Sequence, residues 1–318
     1  MKSRIIILSL CLAGALTVPA LALTTSTAEV ENAAPIAEDL VLKTYKGVAI
    51  SSRFAAVDPE GDLVTFQVVD SPARGEVAMD ETDPAAFTYT PYEGKKGKDA
   101  FTYVAVDANG NTSKPATVKV NIQKQTTAVS YSDMSGDPAH FAALHLAEAG
   151  VYTGRKVGDL YCFDPDSTFT REEFLTMAMT AAGKAPLSDV TLTGFYDDGD
   201  ISAWAKGYVS AALIQGTVEG SPNQAGQVVF NASGPVTRAQ AAVILDRLLA
   251  TGDVATSAAF SQDTVPAWAY QAAVNMEAVS VLAGGTDLSQ TLNRGEAAEM
   301  LSAMLDVLES RDTSRWFW

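Results

Sequence analysis

From Ala34 to about Gln123 the chain alternates apolar and polar positions with a period of two. Val64, Phe66 and Val68 share one face, as do Phe101, Tyr103 and Ala105, and later Val118, Val120 and Ile122. That period belongs to strands, whose successive side chains leave on opposite sides. Turn residues interrupt the run at Asp58-Pro59-Glu60-Gly61-Asp62, Ser71-Pro72, Thr90-Pro91 and Asn109-Gly110-Asn111. The spacing predicts a two-sheet sandwich of about seven strands.

After Thr126-Thr127 the period becomes helical and the order of signals repeats. Tyr131-Ser132-Asp133, the Ala142 to Leu146 stretch, Gly150, Gly154 and Phe163 lead to Thr170-Arg171-Glu172-Glu173. Phe195-Tyr196-Asp197, Trp204-Ala205, Gly216, Gly220 and Phe230 lead to Thr237-Arg238-Ala239-Gln240. Phe260-Ser261-Gln262-Asp263, Trp268-Ala269 and Gly284 lead to Asn293-Arg294-Gly295-Glu296. Pro138 stands where the first copy would have its tryptophan, and Gln262 where the third would have its aspartate.

Thr170, Thr237 and Asn293 are helix N-caps, and Glu173, Gln240 and Glu296 three residues on complete capping boxes. The arginine between them is not explained by helix stability. At the first helical position its charge meets the positive end of the dipole, at a cost of a few tenths to about 1 kcal/mol. A guanidinium beside free helix N–H groups suits a carboxylate or phosphate; the competing reading is an arginine paired with a nearby acid. Because only the helical half carries these arginines, binding of such an anion is expected of it and not of the sandwich.

The 318 residues are 47% hydrophobic and 19% charged, enough for a sizeable core and too apolar for a disordered polyanion. A net charge of -16 argues against nucleic acid or anionic lipid as a general partner, so an anion must be met locally. Cys11 and Cys162 exclude a disulfide framework, and with His140 and His145 as the only histidines, metal chemistry through His or Cys is not expected. No HExxH, GxSxG or GxxxxGK[ST] pattern occurs, which points away from an enzyme. The acidic turn with Asp58, Glu60 and Asp62, together with Asp107, offers oxygens of the kind Ca²⁺ takes, although Asp and Gly are also what tight turns require. No other cofactor is implied. Lys2 and Arg4, the apolar run from Ile5 to Val18 and Ala20-Leu21-Ala22 read as a secretory signal cleaved after Ala22, with no membrane insertion afterwards.

The sandwich segment, on Asn32 to Pro35, the run from Val57 to Val69, Ser71 to Gly75, Phe87 to Pro91 and Asp99 to Asn111, resembles bacterial immunoglobulin-like and cadherin-like modules. Such modules serve as spacers or adhesive units, here with an unknown surface partner. The helical half resembles three consecutive S-layer homology repeats. That resemblance implies a pseudo-threefold helical bundle on an all-β sandwich, and a secreted protein at the cell wall. It also implies binding to the pyruvylated secondary polysaccharide attached to Gram-positive peptidoglycan. By residue it implies Arg171, Arg238 and Arg294 on the acidic ketal, with Asp133, Asp197, Trp204 and Trp268 completing the grooves. Only the second copy keeps arginine, acid and aromatic in register, so Arg238, Asp197 and Trp204 are expected to form the strongest groove. The organisation expected is a signal at 1–22, a linker at 23–33, the sandwich at 34–123, a linker at 124–130, repeats at 131–183, 194–250 and 258–308, and a tail at 309–318. The competing functions are a self-assembling surface-layer subunit and an accessory subunit of a wall or polysaccharide enzyme.

Overall fold

The computed structural model describes residues 32–314 apart from 256 and 258. The expected signal, with Cys11, lies outside the described residues. Nine strands come first: β1 (Ile36–Ala37), β2 (Leu40–Tyr45), β3 (Ile50–Arg53), β4 (Ala56–Val57), β5 (Thr65–Asp70), β6 (Gly75–Met79), β7 (Ala86–Pro91), β8 (Gly97–Val106) and β9 (Ala116–Gln123). One sheet has the order β2-β9-β8-β5 and the other β3-β7-β6, with β1 and β4 as a separate short pair. β2 runs parallel to β9, while β8 is antiparallel to both β9 and β5. The alternation read from the sequence sorts inward residues from outward ones. Phe101 and Tyr103 on β8, Val118, Val120 and Ile122 on β9, and Phe87 and Tyr89 on β7 are buried together around Phe54. The Phe54 and Phe87 rings stack with centroids 4.2 Å apart. Such aromatic pairs add about 0.5–1.5 kcal/mol to the burial of their area.

Among the described residues six α-helices follow: α1 (His140–Glu148), α2 (Arg171–Ala181), α3 (Lys206–Ile214), α4 (Arg238–Leu249), α5 (Ala267–Ala278) and α6 (Arg294–Ser314). α2, α4 and α6 meet at the centre, and α3, α5 and α1 pack on them in that order. Each outer helix therefore lies against a central helix from the preceding copy of the sequence pattern. A ring of backbone hydrogen bonds closes the arrangement. The Arg171 and Glu172 amides donate to Gly234 and Ala232, those of Arg238 and Ala239 to Gln290 and Leu288, and those of Arg294 and Gly295 to Ser167 and Pro165, at 2.7–3.1 Å.

The sandwich is not merely strung from the helices. Tyr45 and Val48 are buried in the helical core, where the Tyr45 ring stacks on Phe141 at 5.5 Å. Lys43 reaches Asp306 at 3.4 Å and pairs with Glu309, both on α6. At the linker, the Glu148 carboxylate accepts from the Thr126 and Thr127 amides at 2.9 and 2.8 Å and from both hydroxyls. Burial pushes the Glu148 carboxyl up, but these donors outweigh it and hold it at about 2 instead of its usual 4.5. A depressed carboxyl contributes stability above its unfolded pKa and loses it as pH falls through the folded one. Thermal unfolding followed from neutral pH downward should therefore show a loss between about 4.5 and 2 that is diminished in Glu148→Gln. An unchanged profile in that variant would show that the clasp contributes nothing.

Candidate functional site

The central helices begin as their sequences dictate. The Thr170 hydroxyl accepts from the Glu173 amide and the Glu173 carboxylate from the Thr170 amide; Thr237 with Gln240 and Asn293 with Glu296 do the same. The first two N–H groups of each helix, expected to be free for an anion, are not. They are the donors of the closing ring, so any anion there must be met by side chains.

The three arginines have different surroundings. Arg238 pairs with Glu296 and also donates to the Asp287 carbonyl at 3.1 Å. Arg294 sits over the Phe169 ring at 5.1 Å, donates to the Phe163 carbonyl at 3.4 Å, and has an Asp164 carboxylate oxygen at 3.7 Å. Arg171 lies over the Phe230 ring at 5.2 Å, and among the described residues no carboxylate comes within ion-pair distance of it. Burial and then the nearby Arg247 guanidinium lower its pKa. Two neutral residues account for this isolation. Gln240 takes the capping-box position that Glu296 holds beside Arg238, and Asn231 follows Phe230 as Asp164 follows Phe163. Amides thus stand where the other arginines meet acids.

Arg171 opens onto a groove of about 310 Å³, within the range of roughly 300–1,000 Å³ common for ligand sites. Phe230, Asn231, Gln240, Arg247 and Trp268 line it with Gly220. Gly220 has φ +74°, and a Cβ there would come within 2.6 Å of the Phe195 ring, so only glycine lets this wall approach. Arg247 holds Glu219 at 2.9 Å on the groove's rim. Trp268, on α5, is 60% exposed, and an aromatic face left in water beside two guanidiniums suits a sugar ring carrying an anion.

Several expectations are corrected. Arg238, Asp197 and Trp204 do not form a groove. The cavity at Arg238 is lined by residues that include Ser280, Leu282, Thr286, Glu296 and Glu299, with neither Asp197 nor Trp204 among them. Asp197 instead accepts from the Phe230 and Asn231 amides at 2.8 and 2.7 Å, beneath Arg171. Asp133 repeats the arrangement on the Phe163 and Asp164 amides at 3.0 and 2.7 Å, and also accepts from the Cys162 thiol. Burial raises the Asp133 carboxyl, yet these donors bring it below its ordinary value. Both aspartates therefore hold loops whose next residues, Asp164 and Asn231, sit at φ 61°, a conformation that Asp and Asn tolerate. Asp197 positions the ring that Arg171 covers, Asp133 positions the loop whose Phe163 carbonyl accepts from Arg294, and neither carboxylate faces a ligand freely. Trp204, 55% exposed, lies just before α3. In the sandwich, one Asp58 oxygen accepts from the Glu60 and Asp62 amides, and Asp107 accepts from the Asn109 and Asn111 amides and the Asn32 side chain. The turns use these carboxylates, and among the described residues no group of three His, Cys, Asp or Glu could hold a metal ion. Sequence reasoning missed Phe230, Arg247, Asn231 and Gln240. Reading glutamine against glutamate at the fourth position of each motif was the available signal.

Comparison with known proteins follows the two halves. Residues 32–123 match the family described as Bacterial Ig domain, and residues 194–242 match the S-layer homology domain. The chain thus carries a bacterial Ig domain at 32–123 and, after it, an S-layer homology domain at 194–242. An S-layer homology domain implies cell-wall anchoring and a location at the cell surface. Neither matched domain is catalytic. Among the described residues no helix is long and apolar enough to cross a membrane. The chain is 34% identical over 133 residues to an amylopullulanase of Thermoanaerobacterium thermosulfurigenes, covering 41% of this chain and 7% of that protein. It is 32% identical over 133 residues to the exoglucanase XynX of Acetivibrio thermocellus, covering 41% and 12%. It is 27% identical over 161 residues to a surface-layer 125 kDa protein of Lysinibacillus sphaericus, covering 46% and 13%. The chain thus spans a small fraction of each of these relatives.

Proposed function

We propose that the protein is held at the wall noncovalently by residues 131–308, acting as three S-layer homology repeats that bind an acidic, pyruvylated secondary polysaccharide. Residues 34–123 are then an immunoglobulin-like spacer or adhesion module displayed by that anchor. The protein acts by binding and not by catalysis. The observation that carries this reading is the Arg171 groove. Among the described residues its guanidinium meets no acid of its own; it rests on Phe230 and faces Arg247 and Trp268. A ketal carboxylate would take the Arg171 fork, the Asn231 and Gln240 amides would meet sugar hydroxyls, and the Trp268 face would carry the ring.

A pull-down of the full chain on purified cell-wall sacculi, before and after extraction of the secondary polymer, tests it. Binding that disappears with the polymer is expected; equal retention on extracted sacculi overturns the reading. The similarity to a surface-layer protein favours one rival, a self-assembling subunit. Sedimentation of the chain as a polymer, without wall material, would support that rival.

A further inference from the structure

The outer face of the four-stranded sheet carries charge of the wrong sign for so acidic a chain. In the register of β8 with β9, Lys98 opposes Asn121 and Ala100 opposes Lys119, so the two lysines are diagonal neighbours, on the order of 7–8 Å apart along the backbone. On the other side of β9, Val41 of β2 is paired with Lys119. Together with Arg74, these residues line a groove of about 660 Å³. Lys98, Lys119 and Arg74 are all exposed, and among the described residues none has a carboxylate within ion-pair distance. Asp99 also lines the groove, but it is buried and turned inward. Its oxygens accept from the Ala73 and Arg74 amides and the Tyr89 hydroxyl, which occupies them without neutralising a lysine. Arg74 spends one N–H on the Lys96 carbonyl at 3.2 Å and keeps the rest.

We infer that this sheet face is a second binding site, for a carboxylate-bearing glycan chain. The site is independent of the Arg171 groove and revises the expectation that the sandwich takes no part in holding the wall. Charge complementarity commits it to a polyanion. Three uncompensated cations converge on one groove in a chain of net charge -16, which disfavours anions elsewhere by long-range repulsion. The floor selects a glycan. Val41 and Ala100 offer a low apolar surface to a sugar ring, and the Asn121 amide stands between the lysines with both donors and an acceptor for hydroxyls. The groove also adjoins the junction with the helices. Lys43, two residues beyond Val41 on the same strand, is the residue tied to Asp306 and Glu309 of α6. A polymer lying on the sheet would therefore run toward the anchor.

The test uses the full chain carrying Arg171→Ala, so that the other groove is silenced, and oligogalacturonate as the probe. Binding measured by titration at low salt and again at about 0.15 M should weaken with salt. Adding Lys98→Ser and Lys119→Ser should lower affinity about fivefold to tenfold, as expected for two solvent-exposed charge contacts, with the melting temperature unchanged because both side chains point to solvent. Lys46→Ser with Lys114→Ser removes the same charge outside the groove and should leave binding intact. Equal weakening by that control pair would reveal general attraction and overturn the site. No loss in the Lys98/Lys119 variant would overturn it as well. Tighter binding of inorganic polyphosphate than of oligogalacturonate would overturn the glycan assignment.

Discussion

Arg171→Ala in the full chain should lower affinity for the wall polymer by roughly ten- to a hundredfold, while Arg238→Ala should leave it nearly unchanged. The first figure follows from losing a charge-assisted hydrogen bond, about 1.5–3 kcal/mol, at a groove with no other unpaired guanidinium on its floor. The second follows because Arg238 is already engaged by Glu296, and an arginine that keeps its own acid has little attraction left for another. Stability should move in the opposite order. Arg171 is half-buried and has no ionic partner among the described residues, so its loss removes a desolvated charge and leaves the Thr170–Glu173 cap in place. Arg238→Ala forfeits a pair whose side chains are 19% and 34% exposed and should cost up to about 1 kcal/mol. Titration of the two variants against a purified polymer fragment, with a melting curve for each, decides the matter. Intact binding in Arg171→Ala with loss in Arg238→Ala would reverse the ranking.

Gln240→Glu is expected to impair binding by a similar factor without removing any residue proposed to touch the anion through its charge. The substitution puts a carboxylate at the third residue of α4, the position from which Glu296 of α6 holds Arg238. The new acid would pair with Arg171 and compete with the ligand. It would also keep the capping box and add a negative charge at the positive end of the helix, raising stability by about 0.3–1 kcal/mol. A more stable protein that binds worse is an outcome no merely structural role for Arg171 produces. A gain in melting temperature with undiminished affinity would show that the arginine is not the receptor.

The strands of the sandwich were legible because its period-two pattern is a direct consequence of having one wet face and one dry face. The starts of α2, α4 and α6 were legible for a similar reason: a cap is a local transaction between residues three apart. The ring that consumes the first amides of those helices was not, since its acceptors at Gly234, Gln290 and Ser167 lie far along the chain. The same blindness affected the groove. Arg171, Asp197 with Phe230, and Trp268 come from three different copies of the pattern. The arginine, acid and aromatic that share one copy therefore point to Arg238, which the fold supplies with an acid of its own. The glutamine that leaves Arg171 unpaired was visible in the sequence, but its meaning depended on which arginine it would face. Asp133 and Asp197 recur in the sequence as ligand candidates, whereas each holds two loop amides; sequence reports that an acid recurs, and only geometry reports what occupies its oxygens.

The way Tyr45 and Val48 enter the helical core, with Lys43 fixed to α6 and Glu148 gripping Thr126 and Thr127, has a mechanical consequence. A module on a loose string sweeps a sphere and meets a partner at a concentration set by the string's length. This module behaves as a bracket: its heading is fixed once the anchor has gripped the wall. Every copy on a wall patch would then point the same way relative to its own foothold, and a pull on the sandwich would be carried into the helices through buried side chains before it strained the linker.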